Sequence, residues 1–527
     1  MIIFNLGHLI QVVASSWVIL ELTGSPLWVS LMVAAPTLPL LILSLPAGAA
    51  ADLFDRRSLL VVASAILAVA SMAMSALWAI GEISPGRLVG LGLVIGIGVA
   101  LFNPAWQATV PSLVPSSLIP GAVSLNSASA GLATALGPAL GGLLVATLGP
   151  GWSFGASTVG YLAVLVAALT SGSVEWSSDR SSMPAAIATG LRYLRFSQGY
   201  LWLMLLGCLF GFTSAALRSM LPNLTSDVLG GDSTLYGILL GTFGAGALVG
   251  GLTRSLAGTL FGSRMIAACI LAFGAAGIIA GLAREVWLMG AAVGLAGLLW
   301  TWILATLTST YQLLTPDWVR GRTMSAFTLS VFGFYPLGAV AAGALGSTIG
   351  AGGSLVVFSA GIVALGFASF RIPIPVLERI ESPVVEDQPR SAEGPESRRE
   401  PVMVVNRWTI HPDGFDSLVD VLDDLRRLRL STGAYQWDAY RSAGDPHQVS
   451  EVVQFHSWDQ YLEHHRRTDL AGRDVIARMH RHGDPESPIV DHLIHLDVDL
   501  PKKRPSWGEL VAEHEHVHRP RLDNNGA

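Results

Sequence analysis

From Met1 to about Phe370 the chain alternates between long apolar runs and short polar joints. A run of roughly 20 apolar residues is what an α-helix needs to cross a bilayer, where no water satisfies backbone hydrogen bonds. The pattern predicts spans at 1–22, 28–50, 58–80, 87–109, 122–148, 152–172, 201–222, 235–255, 264–283, 286–311, 322–348 and 353–371. These are twelve, in two sets of six around the polar stretch 173–200. After residue 372 the pattern changes. Residues 373–400, rich in Pro, Glu, Ser and Arg, read as a flexible linker. Then come a strand at 402–410 and a helix at 412–430, with Phe415, Leu418, Val419, Leu422 and Leu425 at helical spacing. Strands at 434–441 and 449–456, a helix at 458–480 and a strand at 490–498 follow. The order βαββαβ predicts a ferredoxin-like fold. The expected architecture is therefore an all-α membrane protein of two six-helix bundles (1–172 and 201–372, joined by a cytoplasmic loop at 173–200). A small α+β domain at 401–498 and a disordered tail at 499–527 complete it.

Composition sharpens this division. The chain is 51% hydrophobic and 13% charged, where a soluble domain carries about 25% charged residues. Every histidine except His8 lies beyond residue 400. No basic stripe accompanies the net charge of -6, so no nucleic-acid partner is expected. Cys208 and Cys269 fall inside apolar runs and predict no disulfide. The first run begins at residue 1 without a basic lead or a cleavage site, so it is not a signal peptide, and the natural start is expected upstream. With both termini cytoplasmic, the inside loops hold Arg56, Arg57, Arg180, Arg192, Arg195, Arg254, Arg264, Arg320, Arg322 and Arg371, and the outside loops only Arg87 and Arg284. That bias satisfies the positive-inside rule.

Two stretches carry mechanism. In Gly48-Ala-Ala-Ala-Asp52-Leu-Phe-Asp55-Arg56-Arg57, between the second and third spans, Gly48 and Asp52 share a helix face. An acid at a helix C-terminus opposes the dipole and needs a donor. Gly48, Asp52, Arg56 and Arg57 therefore form a candidate conformational latch, weighed against a plain positive-inside loop. In the fifth span Ala133, Gly137 and Gly141 make a small-residue stripe, and Pro138 removes a hydrogen bond to the Thr134 carbonyl. Such a helix suits a hinge or seal as well as ordinary close packing. The halves echo each other: Gln107 precedes Pro111 as Gln312 precedes Pro316, and Pro336-Leu-Gly338 loosely matches Gly137 to Gly142. Paired halves are the mark of a secondary transporter with its site between them.

These residues resemble the major facilitator superfamily over about 1–372. Gly48, Asp52, Arg56 and Arg57 match its loop motif, with Leu53 and Asp55 departing from it. Gly137, Pro138, Gly141 and Gly142 match the fifth-helix motif of the antiporter branch, which implies export. Glu21 to Pro26, Asn103 to Gln107 and Arg320-Gly-Arg322 are similar to the bacterial siderophore- and drug-exporter-like subgroup. The resemblance implies proton-coupled transport of a small molecule across the bacterial cytoplasmic membrane, by a protein that is not an enzyme and needs no cofactor. Residues 401–498 resemble the dimeric α/β-barrel domains of antibiotic-biosynthesis monooxygenases, which implies self-association.

Ionisable residues deep in a span are functional candidates. Arg218 stands in the outer part of the seventh span, and Asn103, Gln107, Asn126, Tyr311 and Gln312 are further candidates to line a cavity. Each amide serves equally as an interhelical hydrogen bond. Glu21 and His8 are the candidate proton carriers. So few charges suit a hydrophobic or amphiphilic substrate. In the tail, His456, His464, His465, His480, His482, His492 and His495 invite a metal or catalytic reading, but only His480 and His482 are tightly spaced. No metal site and no catalytic residue is expected, and a regulatory or dimerising module is favoured over a membrane-tethered oxidoreductase.

Overall fold

The computed structural model describes residues 1–43, 55–110, 114–115, 118–170, 200–261, 264–315, 320–371, 401–411, 415–467, 470–484 and 488–494. Gly48, Asp52, the linker 373–400, His495 and the segment 499–527 lie outside the described residues. Two compact units result, the first centred on Met1–Val384 and the second formed by most of the chain after it.

The first unit contains α1 (Ile2–Thr23), α2 (Pro26–Ala34), α3 (Arg56–Ala79), α4 (Pro85–Thr109), α5 (Ile119–Leu148) and α6 (Pro150–Thr170). It continues with α7 (Tyr200–Asn223), α8 (Ser233–Phe261), α9 (Met265–Leu282), α10 (Val286–Leu314) and α11 (Arg320–Arg371). Among the described residues, 11 helices are long and apolar enough to cross a membrane, counting α2 through to Leu43. The joints follow from local chemistry. Proline at the first position starts α2 and α4 without losing a hydrogen bond. Gly24, in the left-handed region at φ 58, ends α1.

Two helices differ from the expected spans. The run α11 holds a non-helical residue, Gly350, at φ 81 and ψ 159. Ser354 Oγ donates to the Ala342 carbonyl at 2.7 Å, although residues so separated on one straight helix stand roughly 18 Å apart. The chain therefore folds back at Gly350. Helix α7 runs on past Pro222 through one π turn, Leu224–Val228, so the apolar segment reaches from Tyr200 to Val228. Arg218 consequently lies ten residues from the end of its span rather than at its rim. Helix pairings repeat: α1 packs on α5 and α6, and α3 on α4 and α6; likewise α7 packs on α11, and α9 on α10 and α11.

The second unit is a four-stranded antiparallel sheet in the order β2-β3-β1-β4. The strands are β1 (Val402–Thr409), β2 (Gln436–Arg441), β3 (Gln448–Phe455) and β4 (Ile489–Ile494), joined by α12 (Phe415–Thr432), α13 (Trp458–Arg467) and α14 (Leu470–His482). The expected single helix at 458–480 is thus two helices. On α12, Leu418, Val421 and Leu425 are buried, whereas Val419 is 69% exposed. Val419 sits a quarter turn off the stripe, so the core takes Val421 instead.

Alternation buries Val402, Val404, Asn406 and Trp408 on one face of β1, and Val449, Glu451, Val453 and Phe455 on the same face of β3. Asn406 and Glu451 are direct cross-strand partners. The Glu451 carboxylate, fully buried, accepts from Asn406 Nδ2 at 2.7 Å, Arg429 Nε at 2.9 Å and Trp437 Nε1 at 2.9 Å. Arg429 Nη1 also meets His464 Nε2 at 2.8 Å. Burial pushes the Glu451 carboxyl up, but the Arg429 charge and the three donors outweigh it and hold its pKa below the ordinary 4.5. A depressed carboxylate stabilises the fold at pH values above its unfolded pKa, and that contribution is lost as pH falls through its folded pKa. Sheet protection in hydrogen exchange of the whole protein should therefore be flat near neutrality and fall only below about pH 4.5. Glu451→Gln should remove that acid limb. Glu451→Ala, which strands Arg429 without its counter-charge, should cost about 3–5 kcal/mol at pH 7.

Candidate functional site

The two bundles meet along two seams, α5 on α8 and α2 on α11. At the first, backbone touches backbone. A Cβ added at Gly142 would collide with the Ser233 carbonyl and lie 2.9 Å from the Gly237 Cα. One added at Gly237 would lie 2.5 Å from the Pro138 carbonyl. Gly244 packs against the Thr134 carbonyl, the group that Pro138 leaves without its helical donor. Only glycine allows helices to approach so closely. At the second seam Gly343 packs against Ser30, and a Cβ added at Gly346 would lie 3.1 Å from the Pro26 Cβ. Both sets of contacts lie towards the end where α1 turns into α2. Beyond Gly131, whose added Cβ would touch Leu248 at 3.4 Å, the first seam parts. Gly121 and Gly251 have nothing within 4 Å, and Ser124 and Ser127 are exposed. Among the described residues, then, α5 and α8 touch backbone to backbone at one end and make no glycine contact beyond Gly131 at the other.

Aromatic rings from both bundles surround one cation. Arg218, half-buried, places its guanidinium carbon 5.8 Å from the Phe243 ring centre. It is within electrostatic reach of His8, Tyr236 and Tyr335. Trp17 of α1 stacks on Tyr236 of α8 at 6.0 Å, and Trp300 of α10 touches Phe243 and Tyr335 at 6.5 Å each. Among the described residues, no carboxylate forms an ion pair with Arg218.

The remaining sequence candidates scatter. His8 Nδ1 meets Tyr161 Oη at 3.0 Å, and that hydroxyl donates to Gln11 Oε1 at 2.9 Å inside the first bundle. Glu21 accepts from Trp17 Nε1 at 2.6 Å. Asn126 accepts from Trp106 Nε1 at 3.0 Å, an interhelical bond between α5 and α4. Asn103, Gln107 and Gln312 are exposed. Tyr311 is fully buried between Tyr200 and Phe327 and so lines no opening. Gly137 and Gly141 face α1, where added Cβ atoms would meet Leu9 at 2.8 Å and Ile10 at 3.0 Å; Gly142 and Pro138 face α8. In the tail a cavity of about 290 Å³ is lined by Asn406, Trp408, Arg429, Tyr461, His464 and His480 among others. Among the described residues no group of three His, Cys, Asp or Glu could hold a metal.

Of the candidate latch, Arg56 is half-buried in the first turn of α3. Arg57 donates from Nε to the Ala168 carbonyl at 2.9 Å and from Nη2 to the Leu169 carbonyl at 2.6 Å, satisfying the free carbonyls that end α6. Asp55 caps α3, accepting from Ser58 N at 3.0 Å and Ser58 Oγ at 2.8 Å. The Ser58 hydroxyl holds its carboxyl below the usual range, against a smaller effect of burial. Asp-Arg-Arg-Ser before an apolar run is a legible cap signal that the motif comparison obscured. Gly237, Gly241 and Gly244 at helical spacing were similarly visible, but their partner was not.

The family model described as Transmembrane secretion effector matches residues 1–499. The chain belongs to that family. It is a membrane transporter of the major facilitator superfamily. The multidrug efflux pump Tap of Mycolicibacterium fortuitum is 26% identical over 380 residues, 70% of this chain and 92% of Tap. The staphyloferrin A transporter of Staphylococcus aureus is 24% identical over 339 residues, 64% of this chain and 85% of the relative. The fold is similar to that of a bacterial homologue of the human lysosomal transporter Spinster, solved inward-facing and unoccupied. The TM-score is 0.57 at 16% identity, over 70% of this chain and 95% of that one. At that identity the likeness concerns the fold alone.

For this family member the seam makes two outcomes definite. Gly142→Leu should reduce transport to background at an unchanged amount of membrane-inserted protein, because the shut end can no longer close. Gly90→Ala, where an added Cβ meets nothing within 4 Å, should leave transport unchanged. Asp55→Ala should lower thermal stability in detergent by about 1 kcal/mol, and Asp55→Asn, an equally good cap, should not.

Proposed function

We propose that the protein is a proton-coupled exporter of small hydrophobic or amphiphilic compounds, working by alternating access in the bacterial cytoplasmic membrane with both termini inside. The observation that carries this reading is the seam: a closed glycine contact at one end and a parted one at the other describe a carrier caught open to one side. The arginine bias makes that side the cytoplasm, where a substrate for export enters. The chain crosses the membrane twelve times when the reversal at Gly350 is counted as a turn. Gly48, Asp52, Arg56 and Arg57 form the latch at the cytoplasmic end, and Gly137, Pro138, Gly141 and Gly142 let α5 seal the outer end. His8 and Glu21 are the proton carriers. The efflux pump Tap among the relatives supports export over import.

The tail acts as a ferredoxin-like regulatory module. Its helices follow one face of a β2-β3-β1-β4 sheet, in keeping with that fold. On the other face Met403 and Val405 pair with Leu493 and Asp491, and Leu493 is 52% exposed. A second copy of the chain would cover this face.

The reading is tested with cells stripped of other exporters, loaded with a fluorescent amphiphilic dye, with and without an uncoupler. Efflux above the vector control that falls to background with the uncoupler is expected. Dye accumulation driven by the protein would instead make it an importer.

A further inference from the structure

We infer that the chamber around Arg218 is a substrate site for aromatic carboxylates. The inference rests on the transport reading above and narrows its substrate class.

A cation inside a membrane domain is costly unless it is paired or opens onto water. Arg218 has no ion pair among the described residues, and its contact to Phe243 satisfies only one face of the guanidinium. A guanidinium over a ring face is held, but its edge still presents donors in a fork that fits two carboxylate oxygens. Tyr335 stands close by. Its hydroxyl is buried beside Arg218, close enough for the guanidinium to donate to it, and its own proton meets no acceptor among the described residues. A carboxylate seated on the fork would give that hydroxyl an acceptor. The two defects, an unpaired cation and an unpaired buried donor, have one remedy.

The walls select the rest of the ligand. Trp17 and Tyr236 form one stacked pair, and Phe243 and Trp300 a second surface. These rings come from α1, α8 and α10, so both bundles contribute to the chamber. Flat aromatic faces bury a flat apolar body without needing its hydrogen bonds. Arg218 and the uncharged rings disfavour a cationic ligand, and Glu21, the acid that touches these walls, is engaged by the Trp17 indole.

Binding is measured by fluorescence anisotropy on the purified full-length protein in lipid nanodiscs. Fluorescein is the aromatic carboxylate, and rhodamine 6G is a cationic xanthene of similar size. Saturable fluorescein binding, tighter than that of rhodamine 6G, is expected. Arg218→Gln should weaken it at least roughly tenfold, the loss of one charge-assisted hydrogen bond. Arg218→Lys, which keeps the charge but not the fork, should fall between. Tyr335→Phe should weaken fluorescein but leave rhodamine 6G unchanged. Equal thermal stability of the variants shows that they fold. If Arg218→Gln fails to fold, Arg218→Lys and Tyr335→Phe carry the test. Preference for rhodamine 6G, no saturable fluorescein binding, or fluorescein binding indifferent to these variants overturns the inference. Proteoliposomes separate it from the export reading. Outward movement of rhodamine 6G alone keeps export and removes the anion site, whereas Arg218-dependent fluorescein movement inward alone keeps the site and removes export.

Discussion

Close approach of α5 and α8 is the constraint on which the membrane domain depends. In lipid no hydrophobic effect drives helices together, so contact must come from shape. Here the shape is backbone on backbone: Gly142 on Gly237, and Gly244 on the carbonyl that Pro138 leaves free. Such contacts amount to weak Cα–H···O interactions of about 0.5–1 kcal/mol each. They are enough to shut one end and few enough to be broken once per cycle. Pro138 and Gly142 of the motif thus serve the surface towards α8, while Gly137 and Gly141 hold the same helix to α1.

Much of this was legible in the sequence, and for physical reasons. Span positions follow from hydrophobic length alone, so α1, α3 to α6, α9 and α10 fall within a few residues of expectation. The reversal at Gly350 was legible too, because the expected spans 322–348 and 353–371 meet there. The illegible parts are partnerships. Gly142 is visible as a small residue, but Gly237 as its partner is fixed only by the antiparallel register of two helices in different bundles. Tyr311 reads as a cavity residue by its place in the helix, yet its neighbours Tyr200 and Phe327 enclose it. His8 reads as a lone ionisable group until Tyr161 arrives from far along the chain. The extent of α7 was missed because Pro222 normally ends a helix, and here a π turn carries the chain past it.

The tail gives the converse lesson. Its strands and their order come from alternation, but Glu451 stands on the buried face with Val449, Val453 and Phe455. An acid in register with apolar neighbours is the signal that a counter-charge waits on another element. Arg429 on α12 supplies it, and Asn406 and Trp437 complete the shell. The network fixes the helix on the sheet and leaves a cavity beside His464.

The π turn after Pro222 has one more consequence. By lengthening α7 it sets Arg218 ten residues inside an apolar span, where the electric field across a membrane would act on it. Moving one elementary charge across that field is worth about 2.3 kcal/mol per 100 mV. A carrier with Arg218 unpaired would sense the voltage, and one whose Arg218 holds the proposed anion would be neutral there and would not. In the proposed orientation, an interior-negative potential would draw the empty carrier towards its cytoplasm-facing form and release the loaded one. Part of the energy that orders the cycle would then come from the resting voltage acting on a single guanidinium.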